Sequence, residues 1–316
     1  MPIQTLFNFI QPGLHGTPST VQVHNARAAQ KTLDANGFEL YSHHTSLSTA
    51  DFYEDDTVTS VYYPELAETL RAHTGAALVI PVVHSIRNKD LNFVFDKSAS
   101  GGSSSVPSCK KKGSTTRLAE YVPLVHCDNT FDDGTNMVTN ILARTGQFWS
   151  EFEKHLPDHT AMDFDKHRYQ VVNVWRNVRE EPITIWNHPL AVLDVQTMHL
   201  PEDFIQSKTE LPKLDGNKSH HEWYYYDKMK KEEILVFSRW DSRAITENTG
   251  GSGKPPSDVN RSNGSVERCG LPVDARGVST FHTSFCNDNP LMDYLDSYVT
   301  PGRESIDTLC VLVFDL

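Results

Sequence analysis

Hydrophobic and polar positions change period part-way along the chain. Residues 20–45 read as a strand running into a short helix, Arg27 to Asp34, with Asn25 as N-cap and Gly37 as the stop. Phe38-Glu39-Leu40-Tyr41 follows as a strand. Tyr63-Pro64 opens a second helix with proline at its first turn, and Glu65 to Thr74 keeps helical spacing. Ala77 to Val83 is a continuous apolar run, the mark of a buried strand. Between residues 134 and 156, Met137, Ile141, Leu142, Phe148, Trp149 and Phe152 recur at helical spacing. From residue 168 the period is shorter. Tyr169 to Arg176 alternates, and Leu190 to Val195, His221 to Tyr226, Glu233 to Arg239, Val278 to Phe285 and Ile306 to Leu316 add further short strands.

Several short strands separated by turns predict a sandwich or barrel, and helices early with strands late make the class α+β with a β-rich core. No internal repeat is visible, so one domain over 1–316 is expected. Two stretches interrupt it: 98–116, mostly Ser, Gly and Lys, and 248–266, mostly Asn, Gly, Ser, Pro and Lys. Both read as flexible insertions. The first is either a lid or a plain surface loop.

Composition narrows the function classes. The formal charge is −12 and the only basic run is Lys110-Lys111-Lys112, which argues against a nucleic-acid partner. No stretch of about 18 apolar residues suggests a membrane span. The N-terminus lacks the basic and apolar regions of a secretory signal. Five widely spaced cysteines, with no CxxC pair, fit a reducing compartment and free thiols. A cytoplasmic enzyme or binding protein with a small-molecule partner is expected. The sequence sets no oligomeric state.

Most sequence signatures of catalysis fail. Gly253-Lys254 lacks the rest of a phosphate loop, and there is no GxGxxG, GxSxG or HExxH. His155 and His159 are four apart, but Pro157 between them spoils a helical pair. His43-His44 and His220-His221 are adjacent pairs. In a strand such neighbours point to opposite faces, so each is read as surface or hydrogen-bonded histidine.

One constellation survives. His126-Cys127-Asp128 ends the apolar run Tyr121 to Val125, which reads as a strand. Positions i and i+2 share a face there, so His126 and Asp128 can approach one ion while Cys127 points away. His282 lies in a second strand-like run. Two histidines and one carboxylate are the facial triad of non-haem Fe(II) oxygenases, which leaves open positions for a 2-oxo acid and dioxygen. The plainer reading is a hydrogen-bonded His126–Asp128 pair. Arg303-Glu304-Ser305 precedes the final strand, and Arg303 with Ser305 on one face suits the distal carboxylate of 2-oxoglutarate. The plainer reading of Arg303 is a surface ion pair.

These runs, with Asn173-Val174-Trp175-Arg176, Pro189 to Asp194, Trp223-Tyr224-Tyr225, Trp240-Asp241-Ser242, Phe281-His282-Thr283 and Arg303-Glu304-Ser305, give the chain a resemblance to the fungal hydroxylase/desaturase family. That family includes the gibberellin desaturase and relatives of the cephamycin methoxylation proteins. The resemblance runs from about residue 20 to the C-terminus. It implies a double-stranded β-helix (jelly-roll) core with flanking helices, and an oxygenase of secondary metabolism using Fe(II), 2-oxoglutarate and dioxygen. It implies His126, Asp128 and His282 as metal ligands, and Arg303 with Ser305 as the co-substrate clamp. The reaction would oxidise an unactivated C–H bond of a small molecule by hydroxylation, desaturation or oxidative ring closure.

Three further residues are candidates for substrate contact. An inward Arg239 would favour a substrate carboxylate, as of an amino acid, whose C–N ring closure the family's chemistry permits. Asn173 and Trp175 share a face with Val171 and are candidate pocket residues, Trp175 being equally a core aromatic. Two other functions stay open: a zinc-type hydrolase using the same triad, since zinc accepts the same ligands, and a jelly-roll binding protein without chemistry.

Overall fold

The computed structural model describes residues 2–11, 14–88, 117–119, 121–129, 138, 167–185, 188–199, 202–205, 213–216, 218–243, 280–285 and 303–314. The insertions at 98–116 and 248–266, nearly all of the 134–156 helix, and His155 with His159 lie outside them.

Two mainly antiparallel sheets carry the fold. One contains β1 (Ile3–Gln11), β2 (Leu14–Asn25), β10 (Trp223–Tyr225), β7 (Leu190–Leu193) and β12 (His282–Ser284), in the order β1-β2-β10-β7-β12. The other contains β3 (Phe38–Ser42), β11 (Glu233–Asp241), β6 (Tyr169–Asn177), β13 (Glu304–Val313), β4 (Leu78–Asn88) and β5 (Arg117–Ala119), in the order β3-β11-β6-β13-β4-β5. A two-stranded piece, β8 (Phe204–Ile205) with β9 (Lys213–Leu214), stands apart.

Alternation along β6 explains the layering. Val172 and Val174 face a core of Leu66, Leu70, Tyr62, Ile234, Val236, Ile306 and Leu312. Tyr169 and Val171 turn the other way, toward Trp240, Val311 and Val313. Trp175, on that same face, joins Phe237 and Leu235 to Leu190 and Val192 of the opposing sheet. Burying each such side chain stabilises the fold by about 1.5–3 kcal/mol. The remaining face of the five-stranded sheet, with Phe7, Leu193, Trp223 and Phe281, is covered by Met198, Phe204 and Leu214.

Helices cover the outside of the six-stranded sheet. The helical run begins earlier than the sequence suggests, at α2 (Asp55–Thr57), passes through a π-helical turn (Val58–Tyr62), and continues as α3 (Tyr63–Thr74). Pro64 sits in the first turn of α3 and Gly75 ends it in the left-handed region. The expected helix over 27–34 is instead two short pieces: a 3₁₀ turn (Ala26–Ala28) capped by Asn25, and α1 (Leu33–Asn36), capped by Thr32 and ended by Gly37. Thr32 Oγ1 accepts from the Ala35 amide, which starts a new helix where the first would have continued.

β1 and the first half of β2 are an addition to the strand expected from residue 20, and register Gln11↔Leu14 closes the hairpin. Its signal is Pro12-Gly13 between two alternating runs. Residues 121–129 correct another expectation. This segment is not a strand of either sheet. Its β-bridges are two isolated ones, Phe9↔Val125 and His126↔His282, supplemented by the Ser284 amide donating to the Val122 carbonyl at 3.0 Å. Pro123, which lacks an N–H, interrupts a regular ladder there. Among the described residues, no helix is long and apolar enough to cross a membrane.

Candidate metal centre

The bridge between His126 and His282 brings two distant segments together. Each amide donates to the other residue's carbonyl, at 3.1 and 2.9 Å. His282 opens β12, which pairs with β7 through His282↔Val192. The two imidazole centroids lie 4.2 Å apart.

Both rings are oriented by the same device. His126 Nδ1 lies 2.7 Å from the Leu124 carbonyl, and His282 Nδ1 lies 3.0 Å from the Thr280 carbonyl. A carbonyl only accepts, so Nδ1 carries the proton and Nε2 keeps its lone pair. The two Nε2 atoms face opposite oxygens of Asp128, at 3.9 Å (Oδ1) and 3.7 Å (Oδ2). His126 and Asp128 are therefore not a hydrogen-bonded pair. One ligand atom from each of the three residues lies within 4.8 Å of the others. Cis ligands with bonds of about 2.1 Å would sit about 3 Å apart, so the two His–Asp128 separations would shorten by under about 1 Å on an ion.

Charge states suit ligation. Burial pushes His282 down to about 4, and the neighbouring His126 adds to the effect. Burial pushes Asp128 up, but His282, Arg239, His126 and the Asn173 hydrogen bond together hold it down, at about 2. A neutral imidazole and an anionic carboxylate are the forms that bind metal. Cys127 turns away, as the spacing predicts, and is buried with Sγ toward the Asn129 carbonyl.

The structure brings Asn173 and Arg239 to the same carboxylate. Asn173 Nδ2 donates to Asp128 Oδ2 at 2.7 Å. Arg239 Nη1 donates to Asn173 Oδ1 at 3.3 Å, its Nε donates to Asn129 Oδ1 at 2.8 Å, and Nε lies 3.5 Å from Asp128 Oδ2. The register of β11 against β6 slips between Ser238 and Trp240, so Arg239 sits in a bulge. Bulges re-aim a side chain without ending the strand. Asn129 has no signal in the sequence beyond its place one residue after Asp128.

Trp175 links this carboxylate to Arg303. It stands two residues from Asn173 on β6, and the Arg303 guanidinium lies 5.3 Å from its ring and 4.0 Å from the Tyr121 ring. Arg303 is buried, not a surface ion pair. It donates through Nη1 to the His188 carbonyl, and its own carbonyl accepts from Tyr121 Oη at 2.6 Å. Among the described residues no carboxylate lies within ion-pair distance of it, and its buried Nε has no hydrogen-bond partner. Burial pushes its pKa down to about 9, which leaves it charged at neutral pH. Ser305 Oγ is likewise buried without a partner. Glu304 between them points the other way, to Tyr53 and Arg179, so Arg303 and Ser305 turn away from it together. Two orphaned donors beside a buried cation suit an incoming carboxylate.

His220 and His221 are hydrogen-bonded, as expected, but they do not diverge as strand neighbours would. They lie in the turn before β10 rather than in a strand, and both Nε2 atoms reach Asp203 Oδ2 at 2.9 Å.

Residues 8–252 match the family described as "Oxidoreductase/YMDC permease-like domain". The chain belongs to that family. The match takes in His126, Asp128, Asn173 and Arg239, and ends before His282 and Arg303. The resemblance to fungal hydroxylase/desaturases is supported by two relatives. The alpha-ketoglutarate-dependent dioxygenase phiK of a fungal species is 25% identical over 232 residues, 70% of each chain. The hydroxylase/desaturase efuI of Hormonema carpetanum is 23% identical over 242 residues, 72% of each chain. Among solved structures, the iron and alpha-ketoglutarate-dependent endoperoxidase NvfI shares the fold, with a TM-score of 0.59 at 19% identity, covering 99% of this chain and 98% of that one.

Proposed function

We propose that this chain is an Fe(II)/2-oxoglutarate-dependent oxygenase of secondary metabolism that oxidises a C–H bond of a small molecule. Its two facing sheets are then the two halves of a double-stranded β-helix. The observation that carries the reading is the pair of imidazoles with Nδ1 tied to backbone and Nε2 aimed at opposite oxygens of one carboxylate. The named relatives, with alpha-ketoglutarate in their descriptions, support the same co-substrate.

His126, Asp128 and His282 would hold the metal on one face. With 2-oxoglutarate and dioxygen bound, iron supplies the oxidation of the C–H bond, with succinate and carbon dioxide as co-products. The chain's own residues bind and orient. Arg303 Nε and Ser305 Oγ receive the distal carboxylate of 2-oxoglutarate, which gives both orphaned donors a partner. Tyr121 and Trp175 flank the guanidinium and exclude water from the ion pair, which strengthens it. Asn173 fixes the carboxylate plane of Asp128, and Arg239 fixes Asn173. On this reading Asn173 and Arg239 are positioning residues, and Trp175 serves the co-substrate.

Anaerobic titration of the iron-loaded protein with 2-oxoglutarate tests this. A visible charge-transfer band is expected, followed on aeration by oxygen uptake and matching succinate. An intact, iron-loaded protein with no band and no succinate overturns the proposal. Zinc-supported hydrolysis without oxygen uptake would replace it.

A further inference from the structure

A second cluster of metal-binding side chains lies on the other side of the five-stranded sheet. β7 and β10 pair antiparallel, with Trp223↔Leu193. The segment leaving β7 and the turn entering β10 therefore meet at one end of the sheet. The first carries His199 and Asp203, the second His220 and His221. The His199 and His220 rings stack with centroids 4.2 Å apart. One ligand atom each from His199, Asp203 and His220 lies within 4.8 Å of the other two.

Asp203 is the unusual member, because its carboxylate is fully buried. Its two oxygens are used very unequally. Oδ2 accepts from the His199 backbone amide at 2.6 Å and lies 2.9 Å from both His220 Nε2 and His221 Nε2. Oδ1 is buried with no hydrogen bond, and the Lys218 ammonium stands 3.8 Å from it. A buried carboxylate oxygen left without a donor is costly. The carboxylate stays ionised all the same. Burial raises its pKa, but the His199 amide and the two imidazoles bring it down to about 2.

We propose that His199, Asp203 and His220 form a second metal site, for Zn(II), with water as the fourth ligand. Imidazole and carboxylate are zinc ligands. His221, almost entirely buried, holds the Asp203 carboxylate from the side, as outer partners do in metal sites. Tetrahedral bonds of about 2.0–2.1 Å would put ligand atoms about 3.3 Å apart, within reach of three side chains whose ligand atoms already lie within 4.8 Å of one another. The site would clip the β8–β9 piece to the sheet. Phe204 of that piece packs on Phe281, with centroids 5.9 Å apart, and Phe281 precedes the metal-centre residue His282. Zinc here stabilises that packing and takes no part in the oxidation.

The test uses the tag-free full chain, stripped by chelator and dialysed against Zn(II), with bound metal measured by mass spectrometry. His126→Ala with His282→Ala, which removes the first centre, is expected to retain one equivalent of zinc and to melt higher with zinc than without. Adding His199→Ala and His220→Ala is expected to abolish both. In case the quadruple variant misfolds, His199→Ala alone in the triad-free background, at an exposed position, is expected to lose the visible spectrum of four-coordinate Co(II). The proposal is overturned if the triad-free protein binds no zinc, or if it keeps its zinc or its cobalt spectrum after His199 is removed.

Discussion

Asn173 Nδ2 donates to Asp128 Oδ2 at 2.7 Å while its Oδ1 accepts from Arg239. One amide thus fixes the orientation of the only carboxylate in the proposed triad. Asn173→Ala removes both bonds and leaves Asp128 less firmly held toward the two imidazoles, with Arg239 Nε still 3.5 Å from Oδ2. Loss of such an outer partner typically weakens metal binding about 10–100-fold. Titration with Fe(II) under anaerobic conditions reads this directly. An affinity within twofold of the parent would show that Asn173 does not orient the ligand.

Arg303 makes activity and stability move in opposite directions. Among the described residues its buried charge has no carboxylate partner, an arrangement that costs stability. Arg303→Met is therefore expected to raise the melting temperature of the cofactor-free protein. It is also expected to raise the KM for 2-oxoglutarate by roughly 10–150-fold, the loss of a hydrogen bond to a charged group at about 1.5–3 kcal/mol. Arg303→Lys keeps the charge but not the fork and falls between. Thermal melts and succinate formation against 2-oxoglutarate concentration give the two readings.

The parts of this site that sequence could show are those set by local spacing. His126 and Asp128, two apart, do offer their ligand atoms together, though from an irregular segment rather than the expected strand. Asn173 and Trp175 do share a face of β6, because a regular strand enforces it. Local spacing carries no information about what lies across the sheets. That Asn173 meets Asp128 depends on an irregular segment fastened across to β12 and β1. That Trp175 meets Arg303 depends on β13 lying beside β6. The cluster around Asp203 was invisible for the same reason. Adjacent histidines diverge in a strand, but here a turn swings both to one carboxylate that comes from another segment.

Gly37 joins α1 to the segment that carries His282. Its φ is +80°, and its carbonyl accepts from the Ser238 amide and from Thr280 Oγ1. A Cβ placed there would lie 2.8 Å from both Thr280 Oγ1 and a Val195 methyl. Left-handed backbone costs a non-glycine residue about 1–2 kcal/mol, and the clash adds to it. Gly37→Ala is expected to destabilise the protein by about 2–4 kcal/mol, read from the denaturant midpoint. Displacing Thr280 also disturbs the carbonyl that orients His282, so iron affinity should fall with stability. A variant with unchanged midpoint would mean that Val195 and Thr280 yield freely.

Glu65 gives the fold an acid-sensitive fastening. It accepts from Thr45 Oγ1 at 2.6 Å, from the Ser46 amide at 3.2 Å and from Ser46 Oγ at 2.8 Å, tying the segment after β3 to α3. Burial works to raise its pKa, but these hydrogen bonds outweigh it and hold the group below its ordinary value of 4.5. The folded state therefore releases this proton at lower pH than the unfolded chain does. The stabilisation is complete above 4.5 and is lost as pH falls through the folded value. Glu65→Gln cannot ionise and so removes this component. The stability difference between parent and variant should be constant from neutral pH down to about 5, then shrink as the medium becomes more acidic. Urea midpoints across that range provide the measurement, and a difference that stays constant below 4.5 would show that the carboxylate's charge plays no part in the fastening.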